Sequence, residues 1–533
     1  MQKKSLILLF LLFELSIIFY GNSFLGLFES SEGRYAEVSR EMLETKDFIS
    51  PQMDYVYHFT KPPFAYWITS LGMAIFGVNP FGVRFFIAIF AILTMVFVYK
   101  ISEELGADSF SSMLILGSFP LFFIMAKVLT TDMYLTFFVT LGVYLFLLYD
   151  KKKIDKLKFS IYFGITFALS VLTKGQVPIL YWAMIFVTYT FFKKDFSSLK
   201  GFLSPLFILI AVSLCGWWFA LVGIKHPGLL HYLFFKEGIE ASYSSQRFHK
   251  GPIYYYIPVL IAGLFPLIFL FPNLKELKEE RSKLLYGYTF LPLIIFSLFP
   301  AKLPTYLLPS LPGWAILFSL NTSKKIRLIL SAISLFLFQI LLSLIVIFRG
   351  EKLLGVKATD VSILLIISSL FSLICLLLIK RKGEKSALAV LFISILISSI
   401  SLPQIVSKNQ EKFKIAKEIS YAIKENLCDE DKVLELRTTI FSIPFYLERK
   451  VYAFQNNFFK KKFLSNRPDH ILQEEEELKE FINKSPFLWV IVDQKSEQYL
   501  KENYPSFYLY RRGERYILYV SSEIKKRLNV VAD

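Results

Sequence analysis

About thirteen apolar runs, each of roughly 17 to 25 residues and so long enough to cross a bilayer core, restrict this chain to one broad architecture. They fall at 5–21, 83–101, 109–127, 131–149, 159–173, 177–193, 203–222, 254–272, 285–299, 303–320, 326–348, 361–380 and 386–404. A chain of 533 residues with 54% hydrophobic and only 19% charged side chains is too apolar for a soluble protein of that size. The expected fold is a polytopic α-helical membrane protein with about 13 transmembrane helices, carrying a soluble α/β domain at its C-terminus.

Orientation follows from basic residues in alternate loops. Lys151–Lys153 with Lys156 and Lys158, then Lys193, Lys194 and Lys200, then Lys275, Lys278, Arg281 and Lys283, mark cytoplasmic loops, and Lys324, Lys325 and Arg327 and Lys380, Arg381, Lys382 and Lys385 continue the alternation. The N-terminus joins this side through Lys3 and Lys4, and the first run reads as a retained helix, because no small-residue cleavage pattern follows it. The net charge of +17 is then chiefly a topology signal, reinforced by anionic headgroups, and nucleic-acid binding explains it poorly. Four short polar motifs, Lys61-Pro62-Pro63, Thr131-Asp132, Thr173-Lys174-Gly175 and Lys302-Leu303-Pro304, fall on the opposite, extracytoplasmic side. Cys215, Cys375 and Cys428 are too far apart for a disulfide framework or a metal knuckle and read as buried fillers.

The expected domain division is 1–405 for the membrane part and 406–533 for an extracytoplasmic domain. In the latter, 411–426 and 471–484 read as helices, 432–437 and 487–493 as strands, and 507–510 with 516–520 as a hairpin. The first outer loop, 22–82, is too long for a connector and reads as two interfacial helices. In the first, Tyr35, Val38 and Met42 share one stripe and Arg34, Glu37 and Glu41 another, with Ser30 or Ser31 as cap. In the second, prolines stiffen the approach, Tyr66 and Trp67 suit the headgroup layer, and Lys61 is held at phosphate depth.

Lys61, Lys174, Arg247 and Lys302 are cations that this topology puts on the outer face at span ends, placed to meet an anion at the interface. Each is as readily a snorkelling anchor. Glu32 and Asp132 are carboxylates on the same face, able to act as a base or as an orienting acceptor. Taken alone, Glu32 also reads as a first-turn acid favoured by the helix dipole, and Thr131 or Asp132 as the N-cap of the fourth span.

The pattern Glu32-Gly33-Arg34-Tyr35-Ala36-Glu37, continuing to Arg40-Glu41-Met42, followed by Lys61-Pro62-Pro63 and Tyr66-Trp67, resembles the bacterial polyprenyl-phosphate-sugar glycosyltransferases of the GT-C fold. It looks like the aminoarabinose lipid A transferase and protein O-mannosyltransferase families, which share that fold. Thr131-Asp132-Met133, Leu172–Gly175, Gln246-Arg247-Phe248 and Lys302–Pro309 match further signatures in order. The resemblance implies transfer of a sugar, with inversion, from an undecaprenyl phosphate carrier to lipid A, another glycolipid or a protein hydroxyl at the outer face of the cytoplasmic membrane. Glu32 and Asp132 would be catalytic, and Arg34, Tyr35, Lys61, Tyr66, Lys174, Arg247, Lys302 and Tyr306 would bind substrate. The outer loop 224–252, with Glu237, Glu240, Arg247 and His249, would order over the donor.

Two departures stand out. Ser31 replaces the acid that usually precedes Glu32, so Glu32, or Glu29 from the preceding turn, has to serve in its place; Thr60 and Gly238 stand where the aminoarabinose branch has a glutamate and a histidine associated with a metal. His58, His231 and His249 show no helix-face ligand spacing, so neither a metal nor a cofactor is expected. A carrier-lipid flippase is the alternative and should show inverted repeats and broken midplane helices; an envelope scaffold ranks last, since it leaves the outer lysines unexplained.

Overall fold

The computed structural model describes residues 2–29, 31–235, 250–273, 283–320, 322, 325–354, 358–381, 383–455 and 468–529. They form two compact units: one of 1–22, 60–65 and 84–405, the other of 23–59, 66–83 and 406–533.

In the first unit the apolar runs are helical. Seven helices among the described residues are long and apolar enough to cross a membrane: Pro80–Leu105, Thr131–Asp150, Lys156–Lys174, Pro205–Lys225, Lys325–Gly350, Val361–Ile379 and Glu384–Lys408. The N-terminal helix Gln2–Phe19 and the shorter Val177–Lys193 and Lys283–Leu298 join them. Three runs that read as continuous are broken near prolines, which have no amide hydrogen to extend a helix. Residues 109–127 become Ser109–Gly117 and Pro120–Met125, 254–272 become Tyr256–Leu264 and a 3-10 turn Leu267–Leu270, and 303–320 become a 3-10 turn Pro304–Ser310 and a helix Leu311–Ser319.

Between apolar helices in lipid, close approach and buried hydrogen bonds set the packing. Gly287 lets its helix close on Val177–Lys193: a Cβ there would stand 2.4 Å from the Met184 carbonyl oxygen. Gln339 donates to Ser394 (3.0 Å) and Ser398 (2.6 Å) and accepts from Ser372 (2.9 Å), tying three helices together. Cys375 is buried as expected and its thiol donates to the Ala387 carbonyl; Cys428 is exposed, a correction to its reading as a core filler.

The second unit joins the first loop to the C-terminal domain. Its loop contributes the helix Glu32–Thr45 and a short hairpin, β1 Gln52–Met53 and β2 Val56–Tyr57. The periodicity predicts a polar stripe facing headgroups or water. Instead Glu37, Arg40 and Glu41 are buried beside Tyr35, Val38 and Met42, because their charges find partners within the unit. The C-terminal sheet takes the order β5-β4-β3-β6-β8-β7, with β3 Lys432–Leu436, β4 Tyr452–Phe454, β5 Ile471–Leu472, β6 Leu488–Asp493, β7 Tyr508–Arg512 and β8 Tyr516–Val520. β3 runs parallel to β4 and β6, and β8 antiparallel to β6 and β7. Trp489 and Ile491 of β6 look to one apolar core and Leu488, Val490 and Val492 to the other, so the fully buried β6 reads as an unbroken apolar run.

Two boundaries move. The helix predicted over 411–426 is Lys417–Lys424, and the one over 471–484 starts only at Glu475, where a capping box between Glu474 and Glu477 fixes its first turn; Ile471 and Leu472 go into β5.

Candidate functional site

Within the first unit, Asp132 and Lys174 meet. Thr130 has extended backbone and its hydroxyl accepts from the Asp132 amide (3.3 Å), so Thr130, rather than Thr131 or Asp132, caps the helix Thr131–Asp150. The Asp132 carboxylate, left to other uses, takes the Lys174 ammonium at 2.5 Å, with the two side chains 10% and 12% exposed. Lys174 is the last residue of Lys156–Lys174, where a cation suits the helix dipole, and Gly175 follows with φ +59°, a conformation a side chain would resist. The same ammonium lies 5.5 Å from the Tyr306 ring centroid. Tyr306 belongs to the 3-10 turn Pro304–Ser310, and the buried Tyr181 hydroxyl donates to its carbonyl. Three of the residues singled out in sequence thus form one cluster, in which a cation is shared between a carboxylate and an aromatic face.

Lys302 has a different setting. It is buried, and its ammonium donates to the carbonyls of Phe296 (3.1 Å), Ser297 (2.6 Å) and Phe299 (2.5 Å), one acceptor for each proton. These are carbonyls at the end of Lys283–Leu298, so in this structure the lysine caps that helix. Tyr256 supports it, with its ring 5.6 Å from the ammonium and its hydroxyl accepting from the Leu303 amide. Lys61 is half-buried, and its ammonium donates to the Thr60 carbonyl at 2.9 Å.

In the second unit, Glu32 is buried at the start of its helix and accepts from the Phe28 amide (3.0 Å). Ser31 stands at the N-cap without a side-chain capping bond, and Ser30 lies outside the described residues. The Glu29 carboxylate takes the Ser442 hydroxyl. Arg34 is half-buried with its guanidinium 5.8 Å from the Tyr35 and Phe441 rings, and Tyr35 and Tyr66 are buried with ring centroids 5.4 Å apart. Trp67 donates to the Phe48 carbonyl (2.7 Å).

A buried charge network follows along the same helix. Arg40 grips Glu37 through two bonds (2.7 and 2.8 Å) and reaches Glu44 (2.6 Å), while Glu41 accepts from the Tyr55 amide. Burial, and then the Glu37 carboxylate beside it, push the Glu41 carboxyl well above the usual range. Burial likewise raises Asp54, whose carboxylate accepts from the Val451 amide at 3.0 Å. Burial holds His470 below its ordinary value, with Nε2 2.7 Å from the Asp54 carbonyl oxygen.

Sequence reasoning missed Glu14, Arg84 and Lys127, all buried in the first unit. The signal they carry is an ionisable residue inside or beside an apolar run, the same signal that singles out Asp132. Arg247, with Gln246 and Phe248, and Glu237, Gly238, Glu240 and His249 lie outside the described residues. Among the described residues no group of three or more His, Cys, Asp or Glu could hold a metal ion.

The family model for dolichyl-phosphate-mannose-protein mannosyltransferases matches residues 60–218, which include Lys61, Asp132 and Lys174. An uncharacterized protein of Aquifex aeolicus is 29% identical over 85% of this chain and 88% of its own length. Undecaprenyl phosphate-alpha-4-amino-4-deoxy-L-arabinose arabinosyl transferases of Photorhabdus laumondii and Pseudomonas savastanoi are 29% and 32% identical over 61% and 55% of the chain. The match spans only 62% and 57% of those two relatives' lengths. The crystal structure of ArnT from Cupriavidus metallidurans bound to undecaprenyl phosphate superimposes with a TM-score of 0.86 at 19% identity, covering 98% of this chain and 99% of that one; its apo form gives 0.85. The architecture is the GT-C membrane fold with a C-terminal sheet domain.

Proposed function

We propose that this chain, which has the GT-C fold, is a polyprenyl-phosphate-sugar glycosyltransferase that moves a sugar from an undecaprenyl phosphate carrier to an acceptor hydroxyl or phosphate at the outer face of the cytoplasmic membrane. Lipid A is the acceptor class that the resemblance to the aminoarabinose branch implies; another glycolipid and a protein hydroxyl are the other two. The observation that carries the reading is the Asp132–Lys174–Tyr306 cluster, at the helix ends that the basic-loop alternation assigns to the outer side; Asp132 and Lys174 lie in the segment matched by the mannosyltransferase model. Residues 406–533 are an extracytoplasmic domain on the same side, and 1–405 the transmembrane part.

The chemistry is a direct displacement. An acceptor oxygen attacks the anomeric carbon, the bond from that carbon to the phosphate oxygen breaks, the acceptor proton passes to a carboxylate, and polyprenyl phosphate leaves. Attack opposite the leaving group inverts the carbon. Lys174 stabilises the charge that grows on the departing phosphate, the kind of interaction that often supplies the largest catalytic term. Asp132 holds that ammonium in place until phosphate arrives and is then available as base or orienting acceptor. Glu32 is the second unit's candidate acid, Arg34, Tyr35, Tyr66, Lys61, Arg247 and Tyr306 are assigned to direct substrate contact, and Lys302, bonded to helix-end carbonyls, acts as a support.

The test is transfer of radiolabelled sugar from a panel of undecaprenyl-phosphate sugars by the purified enzyme with native membrane extract. Wild type is compared with Lys174→Ala, Lys61→Ala and Glu32→Ala. Label reaching an acceptor, and lost on Lys174→Ala, is expected. No transfer, with carrier lipid crossing vesicle membranes instead, overturns the reading in favour of a flippase.

A further inference from the structure

Two buried lysines of the first unit carry out the same operation at two helix ends. Lys127 donates to the carbonyls of Ile17 (2.8 Å), Ile18 (2.5 Å) and Tyr20 (2.7 Å), closing the end of Gln2–Phe19 as Lys302 closes the end of Lys283–Leu298. Arg84, also buried, adds a second cation there by donating to the Asn22 carbonyl (3.3 Å). Both helices start next to basic residues, Lys3–Lys4 and Lys283, so on the orientation that the basic loops imply both end on the outer side. Lys127 precedes Asp132 by five residues, which limits the path between them to roughly 18 Å even when fully extended.

A helix end presents unpaired carbonyls and about half a negative charge. Two such ends on the face that must hold a phosphate would repel it. We infer that Lys127, with Arg84, and Lys302 are positioning residues for the donor phosphate: they convert two carbonyl-rich helix ends from negative to net positive and tighten polyprenyl-phosphate binding without touching the phosphate. Neutral side chains could satisfy some of the carbonyls; a buried ammonium at each end supplies charge as well. This rests on the proposed function, since it needs a lipid phosphate on that face.

The experiment measures the dissociation constant of undecaprenyl phosphate for the purified full-length protein in detergent, together with donor KM and kcat. The variants are Lys127→Gln, Lys302→Gln and Lys127→Arg. Glutamine keeps a donor and removes the charge; arginine keeps both. A positive charge near an anionic lipid headgroup is worth about fivefold in binding, so each glutamine variant is expected to weaken undecaprenyl phosphate binding and raise donor KM roughly fivefold with kcat nearly unchanged, while Lys127→Arg stays near wild type. A merely structural lysine would give the reverse split: fewer active molecules, hence lower kcat, at unchanged KM and dissociation constant. That result, or failure of the glutamine variants to fold, overturns the inference. Wild type that binds undecaprenyl phosphate but transfers nothing sinks the transferase reading while leaving the binding comparison to decide this one.

Discussion

Removing either partner of the Asp132–Lys174 pair should be costly, and removing both should cost less than the sum. At 2.5 Å and an effective dielectric of about 20 the attraction is on the order of 6 to 7 kcal/mol before desolvation, most of which desolvation cancels. With the side chains only 10% and 12% exposed, Lys174→Met leaves a carboxylate without its ammonium in a dry place, and a loss of about 3 to 5 kcal/mol is expected. Asp132→Asn has a cost of the same kind. The double variant leaves no orphaned charge, so the cycle should show a coupling of about 2 kcal/mol. Unfolding in mixed detergent–SDS micelles measures stability, and sugar transfer from the undecaprenyl-phosphate donor measures function. Lys174→Met should lower kcat by about two orders of magnitude, as loss of one preorganised charge donor does, and Asp132→Asn should not restore it. Stabilities that add within about 0.5 kcal/mol, or a double variant that regains transfer, would refute the argument that one pair serves both fold and phosphate.

Three further outcomes follow from the same structure. His470, held neutral by burial, takes up a proton more readily when unfolded, so the second unit should lose stability as pH falls from about 6.5 towards the lower folded value. Asp54 and Glu41, raised by burial, act oppositely, since their contribution is present below about pH 4 and is lost as pH rises through their folded values. Melting of wild type and of His470→Gln is followed from pH 4 to 8, and the variant should lack the histidine's loss of stability below about pH 6.5; identical profiles on the acid side count against this assignment. Gly287→Ala forces a methyl against the backbone at Met184 and Ile185 and should cost about 1 to 3 kcal/mol in SDS unfolding, whereas an unchanged midpoint would mean the helices separate freely. Tyr181→Phe removes the hydroxyl that binds the Tyr306 carbonyl and should cost about 1 to 3 kcal/mol and lower transfer in parallel; full activity would detach that turn from the site.

The membrane helices are legible because a run of that length and hydropathy suits a bilayer span and little else, and β6 is legible as an unbroken apolar strand. Breaks near Pro120, Pro266 and Pro304 are less so, since hydropathy averages over a proline that the helix cannot absorb. The Glu32–Thr45 helix shows a different limit. Periodicity assigns its polar stripe to an aqueous face, yet Arg40 between Glu37 and Glu44, and the Tyr55 amide on Glu41, make that stripe an interior one. Nothing at helical spacing distinguishes a solvated charge from a buried one that is paired along its own helix or by a partner such as the Tyr55 amide.

Lysine makes the same point at the site. Lys127, Lys174 and Lys302 are alike in sequence, each a cation at the end of an apolar run, and Lys61 stands just before the apolar stretch that follows Pro62-Pro63. What separates them is the acceptor each meets: the carbonyl beside it for Lys61, a carboxylate and a ring for Lys174, and three helix-end carbonyls for Lys127 and Lys302. An ammonium has three protons and one charge, and these can be directed separately. Lys127 and Lys302 use all three protons on carbonyls, yet their charge still reaches beyond the carbonyls they bond. Lys174 is held by a short ion pair to Asp132, beside the Tyr306 ring, and an arriving phosphate can compete for that pair. A lysine bound to carbonyls can therefore shape the field around a phosphate, and one bound to a carboxylate can hand itself over to it.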